Sequence, residues 1–227
     1  MNKKLKILNY DFTLISRGRL FDIIETCINK RNFRNIIASD FRHVEYFSNC
    51  ECLKSSTLAY PDSSGIFFII KFFFRKGSKG FNRIVSTDFH FKLLGFAANK
   101  GFKIFLLGDT QETLTNFENR VSQNLPNLEI VGKINGFDGI MNPNLIAELN
   151  NADADILLIG LGVPKQEKWL MKHSEVLNIP VRITVGAFFN FYGGKYKRAP
   201  KLMSALYMEW LYRFLREPRR LFPRYFI

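Results

Sequence analysis

From Gly101 onward the chain alternates between two textures. Short apolar runs closed by glycine or a turn residue are each followed by a polar stretch with helical spacing. KIFLLG (103–108) precedes 110–125, LEIVG (128–132) precedes 143–150, DILLIGLG (155–162) precedes PKQEKWLMKHSEVL (164–177), and VRITVG (181–186) closes the series. Runs this uniformly apolar belong to strands buried on both faces, and parallel strands need a crossover between them, usually a helix. The pattern predicts βαβ units, hence a Rossmann-like α/β fold: a parallel sheet with helices on both faces. The first half reads similarly: KILNYDFTL extended, 18–29 helical, NIIAS (35–39) a strand, STLAYPD (56–62) a strand entering a turn. A helix follows at 87–100, with Thr87 as its candidate cap. GIFFIIKFFF (65–74) is too short for a bilayer, which needs about 20 apolar residues, and reads as a buried helix. The expectation is one α/β domain over 1–200 and a C-terminal appendage over 201–227.

Composition narrows the function. With 24 Phe, 8 Tyr and 2 Trp in 227 residues, there is too much apolar surface to bury for disorder to dominate. Three cysteines, at 27, 50 and 52, make no disulfide framework and point to a reducing compartment. The basic start MNKKLKILNYDF lacks the apolar core and cleavage site of a signal peptide, so a cytoplasmic location is expected. Net charge is +13, and over half of it falls in residues 195–227. Such an excess implies a polyanionic partner: nucleic acid, an anionic membrane surface or a phosphorylated substrate.

Open parallel sheets bind ligands beyond the carboxyl ends of their strands. There, Asp62 follows STLAYP; it is a candidate general base, although Asp-Ser-Ser before an apolar run also reads as a helix cap, the commoner use. Gly108-Asp109 stands where a helix begins, a place that lets backbone approach a nucleotide closely, but no GxGxxG accompanies it or Gly160-Leu161-Gly162. In GLGVPKQEKW (160–169), Pro164 sits at a first helical turn, and Lys165 and Gln166 fall where the N-terminus already favours an anion; an exposed polar helix start is an equal reading. VGAFFNFYGGKYKRAP (185–200) brings Gly186, Lys197 and Arg198 to the same rim, or forms only a basic solvated loop. In the tail, Met203, Leu206, Tyr207, Trp210, Leu211 and Phe214 form an apolar stripe beside arginines, the pattern of a helix lying on anionic lipid. Packing on the body, or a contact in a homo-oligomer, is the other use of that stripe. No metal-ligand spacing, P-loop or GxSxG elbow occurs, so neither a metal nor a cofactor is expected.

In order along the chain, PDSSG (61–65), RIVSTD (83–88), FLLGDT (105–110), ADILLIGLGVPKQEKW (154–169), VGAFFNFYGGKYKRAP and EWLYRFLREPRRLFPRY (209–225) resemble the WecG/TagA/CpsF glycosyltransferases, glycosyltransferase family 26. The resemblance implies inverting, metal-independent transfer from a UDP-sugar, commonly of the N-acetylmannosamine type. The implied acceptor is a polyprenyl-diphosphate-linked sugar on the cytoplasmic face of the membrane. By the same resemblance Asp62 is the catalytic base, Arg83 and Gln166 belong to the catalytic group, and Gly108, Asp109, Gly160, Gly162, Pro164, Lys165, Gly186 and Asn190 line the donor site. Asp40, Lys197, Arg198, Arg216, Arg219, Arg220 and Arg224 hold acceptor and diphosphate, and the appendage docks on the membrane. Four positions depart from the family pattern: Ala38-Ser39-Asp40 replaces Thr-x-Asn, Asp62-Ser63-Ser64-Gly65 replaces the PDG turn, Asn190 replaces an aspartate, and Asp109 replaces a glycine. Ala38, Asp40 and Asn190 raise one alternative, a nucleotide-sugar-binding protein with altered or lost catalysis. A nucleic-acid partner is not expected, because the basic excess sits in an aromatic amphipathic tail, and a dehydrogenase lacks its glycine fingerprint.

Overall fold

The computed structural model describes residues 3–48, 56–74, 81–196, 199–200, 203, 208–219 and 222, the side chains of 209 and 213 excepted. A hairpin of β1 (Lys3–Ile7) and β2 (Tyr10–Leu14) opens the chain, turning at Leu8 and Asn9, both with positive φ. Six further strands form one parallel sheet: β3 (Arg34–Ser39), β4 (Thr57–Pro61), β5 (Ile104–Gly108), β6 (Ile130–Ile134), β7 (Ile156–Gly160) and β8 (Val181–Thr184). Their order is β4-β3-β8-β7-β5-β6, so β3 and β8, remote in sequence, lie side by side.

Every residue of β5 and β7 is buried, which is why these runs show no polar alternation. Leu106, Leu158 and Ile183 face α1 (Arg17–Asn29), α4 (Ser86–Lys100) and α5 (Gln111–Asn124). Phe105, Leu107, Leu157 and Ile159 face α6 (Leu145–Asn151) and α7 (Lys165–His173) on the other side. β5 and β7 end on paired glycines; a Cβ on Gly108 would lie 2.5 Å from the Gly160 carbonyl carbon and oxygen, so no side chain fits between them.

Three expectations need revision. The 65–74 helix, α3 (Ser64–Phe73), is amphipathic rather than buried. Ile66, Phe67 and Ile70 pack with the hairpin and α2 (Phe41–Phe47), whereas Phe68, Phe72 and Phe73 are 53%, 66% and 71% exposed. One face meets the hairpin, and the other is largely exposed among the described residues. Thr87 does not cap α4: the cap position is Val85, which makes no side-chain cap bond, and Thr87 is buried in the helix. Pro164 precedes α7 as its cap residue rather than opening its first turn. Beyond β8 come α8 (Phe188–Tyr192) and α9 (Glu209–Arg216), and no helix among the described residues is long and apolar enough to cross a membrane.

Candidate active site

A cleft of about 480 Å³ opens at the carboxyl ends of β3, β4 and β8. It gathers Asp40, Asp62, Arg83, Gln166, Gly162 and Gly186. These residues come from segments up to about 150 positions apart, and the β3–β8 adjacency brings them together. Asp62 does not cap the helix that follows it. Ser63 does, accepting from the Ile66 N–H at 3.3 Å. The Asp62 carboxylate instead reaches the start of α4, where the Ser86 N–H donates to one oxygen at 2.8 Å and the Ser86 hydroxyl to the other at 3.0 Å. The Asp62 N–H donates to the Ser39 carbonyl, tying the turn to β3. The side chain missing from the α4 cap position is thus replaced by a carboxylate from the turn after β4. That placement is favourable, because exposed N–H groups and the helix dipole attract negative charge at an N-terminus.

Gln166 is buried and joins two walls of the cleft: its amide oxygen accepts from the Gly186 N–H at 3.1 Å and its nitrogen donates to Glu167 at 2.6 Å. Gly186 holds φ +55°, a backbone region where glycine is at ease. Behind Gln166 lies a buried charged chain the sequence reading missed. His43 Nε2 lies 3.2 Å from Glu167 Oε1, and its Nδ1 lies 2.9 Å from Asp40 Oδ1. Burial opposes a charge on His43, but its bonds to Asp40 and Glu167 prevail and raise its pKa to about 9. Burial likewise raises Asp40, yet His43 and Arg42 outweigh it and hold the carboxyl well below the usual range. The raised pKa favours an imidazolium that bridges α2 to α7 through Asp40 and Glu167, in place of the bond that the Asp40 N–H makes to an unprotonated Nδ1 at 3.1 Å. An anionic Asp40 cannot itself attract a diphosphate. It holds Arg42 through Oδ2 at 3.0 Å, and that guanidinium lines the cleft. The signals for this chain were Glu167 inside the KQEKW block and the three-residue spacing of Asp40 and His43.

A family model described as "Glycosyl transferase WecG/TagA/CpsF family" matches residues 5–227. The chain belongs to that family. It is 30% identical over 177 residues to the N-acetylglucosaminyldiphosphoundecaprenol N-acetyl-beta-D-mannosaminyltransferase of Bacillus subtilis strain 168, covering 78% of this chain and 66% of that protein. It is 25% identical over 224 residues to the protein of the same name from Staphylococcus aureus strain MW2, covering 96% of this chain and 87% of the relative.

In this WecG/TagA/CpsF glycosyltransferase other sequence-predicted residues do not line the cleft just described. Gly108 and Gly160 pack against each other. Asp109, at φ +51°, accepts from the Thr110 N–H at 2.8 Å and from the Asn190 amide, and its own N–H donates to Gly160. Asn190 thus donates to Asp109, and an aspartate in its place would set two carboxylates against each other. Lys165 is exposed at the start of α7, and Pro164 is half-buried. Arg216, stacked 5.4 Å from the Tyr212 ring, and Arg219 are exposed in the tail. Trp210 of α9 does line the cleft. Lys197, Arg198, Arg220 and Arg224, and Leu206 and Tyr207 of the stripe, lie outside the described residues. Among the described residues, no group of three His, Cys, Asp or Glu is arranged to hold a metal ion.

Proposed function

We propose that this enzyme transfers a hexose, of the N-acetylmannosamine type, from a UDP-sugar to a polyprenyl-diphosphate-linked glycan in bacterial envelope polysaccharide synthesis, with inversion and without a metal. The observation that carries the reading is the convergence of Asp62, Arg83 and Gln166 on one cleft at the switch between β3 and β8. The names of the relatives supply the sugar and the lipid-linked acceptor. In the proposed step the acceptor hydroxyl oxygen bonds to the anomeric carbon, the bond from that carbon to the phosphate oxygen breaks, and UDP leaves with the electron pair. The hydroxyl proton passes to Asp62, whose orientation is fixed by Ser86. Arg42 and Arg83 neutralise charge growing on the diphosphate, the task a cation performs elsewhere.

The acceptor is carried by a membrane lipid, and the protein works at the cytoplasmic face as a peripheral protein. The Trp-containing, arginine-rich tail supports that placement, as do the exposed phenylalanines of α3, the helix whose first turn lines the cleft. Retention on anionic vesicles, weakened by salt, is expected; equal retention on zwitterionic vesicles would remove the charge argument.

Asp62→Asn tests the chemistry. It keeps a partner for Ser86, so folding and UDP binding should persist, with UDP at 100 times its Kd adding about 2.7 kcal/mol of stability. Turnover on a polyprenyl-diphosphate acceptor should fall about 10²–10⁴-fold. Unchanged turnover refutes the base assignment. A wild-type protein that binds the UDP-sugar yet never turns over is instead a nucleotide-sugar-binding protein.

A further inference from the structure

Two buried side chains in the cleft have been given no role. His90 is one turn beyond Ser86 on α4 and 1% exposed, and Thr184 ends β8 and is 2% exposed; both line the cleft. Among the described residues, neither ring nitrogen of His90 nor the Thr184 hydroxyl has a hydrogen-bond partner. Buried polar groups are almost always paired, and leaving them unmade is destabilising, so three such atoms in one cleft call for a ligand that completes them.

We propose that His90 and Thr184 form a subsite for an uncharged hydroxyl or acetamido group of the bound sugar, separate from the diphosphate. The inference rests on the sugar-nucleotide reading above and deepens it. A neutral imidazole offers one donor and one acceptor, and a threonine hydroxyl offers both, which matches groups that also donate and accept. A phosphate only accepts, so it would leave the imidazole acceptor unpaired unless the ring were protonated. Burial works against that, holding the His90 pKa down to about 3. The same weak basicity removes His90 as a proton acceptor in the reaction. Its surroundings are apolar: the Phe188 ring lies 5.1 Å away and Phe191 also lines the cleft, surfaces suited to the C–H face of a pyranose or an acetamido methyl. The charged groups that line the cleft are Asp40, Arg42, His43, Asp62 and Arg83, and none of them is a hydrogen-bond partner of His90 or Thr184.

Calorimetry on the full chain tests this with UDP, UDP-glucose, UDP-N-acetylglucosamine and UDP-N-acetylmannosamine against wild type, His90→Phe and Thr184→Val. His90→Phe keeps an aromatic ring against Phe188 and removes unpaired polar atoms, so its Tm should equal or exceed that of wild type. Its affinity for a UDP-sugar should fall about 3–10-fold, the size of one or two ordinary hydrogen bonds, while its affinity for UDP stays within twofold. Thr184→Val should show the same split and carries the test if His90→Phe does not fold. Loss confined to the N-acetyl sugars assigns the acetamido group; equal loss across all the sugars assigns a ring hydroxyl. Equal weakening of UDP and UDP-sugars, or no weakening of either, overturns the subsite and leaves the enzyme's UDP-sugar reading standing. A wild type that binds none of the four overturns both.

Discussion

Replacing His43 isolates the buried charged chain behind Gln166. The imidazole side chain is 2% exposed and lies between Asp40 and Glu167, with Arg42 on the far side of Asp40. Tyr10, whose hydroxyl bonds Ser39 at 2.7 Å, also feels Asp40 and Glu167, and burial pushes its own pKa up, so it stays neutral through the relevant range. The His43 pKa rises from 6.5 in the unfolded chain to about 9 in the fold. At 1.36 kcal/mol per pKa unit the difference is worth about 3 kcal/mol, counted once for the whole chain of contacts. Because the folded value is the higher one, this stability is fully present below about pH 6.5 and disappears as pH rises through about 9. His43→Gln should therefore cost about 3 kcal/mol at pH 6, the lower end of what removing one partner from a buried ion pair costs. The gap between variant and wild type should shrink toward zero by pH 10. Urea unfolding of both proteins at several pH values reads the gap directly, and other groups titrating in the window cancel in the difference. A gap that stays constant from pH 6 to pH 10 would mean the imidazole is neutral in the fold, and the electrostatic account of the bridge would be wrong.

Two glycines should respond very differently to the same change. Gly108→Ala forces a Cβ to within 2.5 Å of the Gly160 backbone at φ +135° and should cost about 2–4 kcal/mol. Gly186→Ala meets open space at φ +55° and should cost only about 1 kcal/mol, so similar losses of Tm for the two would contradict the close approach of β5 and β7. Asn190→Asp replaces the amide donor to Asp109 with a second carboxylate. It should cost about 1–3 kcal/mol at pH 7.5 and recover part of that loss near pH 5, as one of the two carboxyls takes up a proton; urea unfolding that finds no pH dependence would refute the repulsion.

Much of this molecule was written locally. The alternation of glycine-closed apolar runs with helical stretches placed β5 through β8 and the helices between them to within a few residues, because strands buried on both faces leave an unmistakable texture. Asp62 and Gln166 could be picked out because each follows a strand. The failures were equally physical. GIFFIIKFFF looks wholly buried, but how much of a helix is covered depends on what packs against it, and Phe68, Phe72 and Phe73 of α3 stay more than half exposed. Asp62 looked like the cap of α3, yet the next residue does that work. No local pattern announced that the carboxylate just after β4 would cap α4, since the cap position there is a valine.

The sequence by itself determined the class of fold, the strand-end positions of the reactive residues and the family. It did so because periodicity and motif are properties of neighbouring residues. Only the tertiary structure decided which strand ends meet. Placing β3 beside β8 brings Asp62 to Gln166, sets Glu167 against His43 and turns His90 and Thr184 into the cleft. Those partnerships join segments from opposite ends of the chain, and their energies come from burial and distance, which no stretch of sequence carries alone.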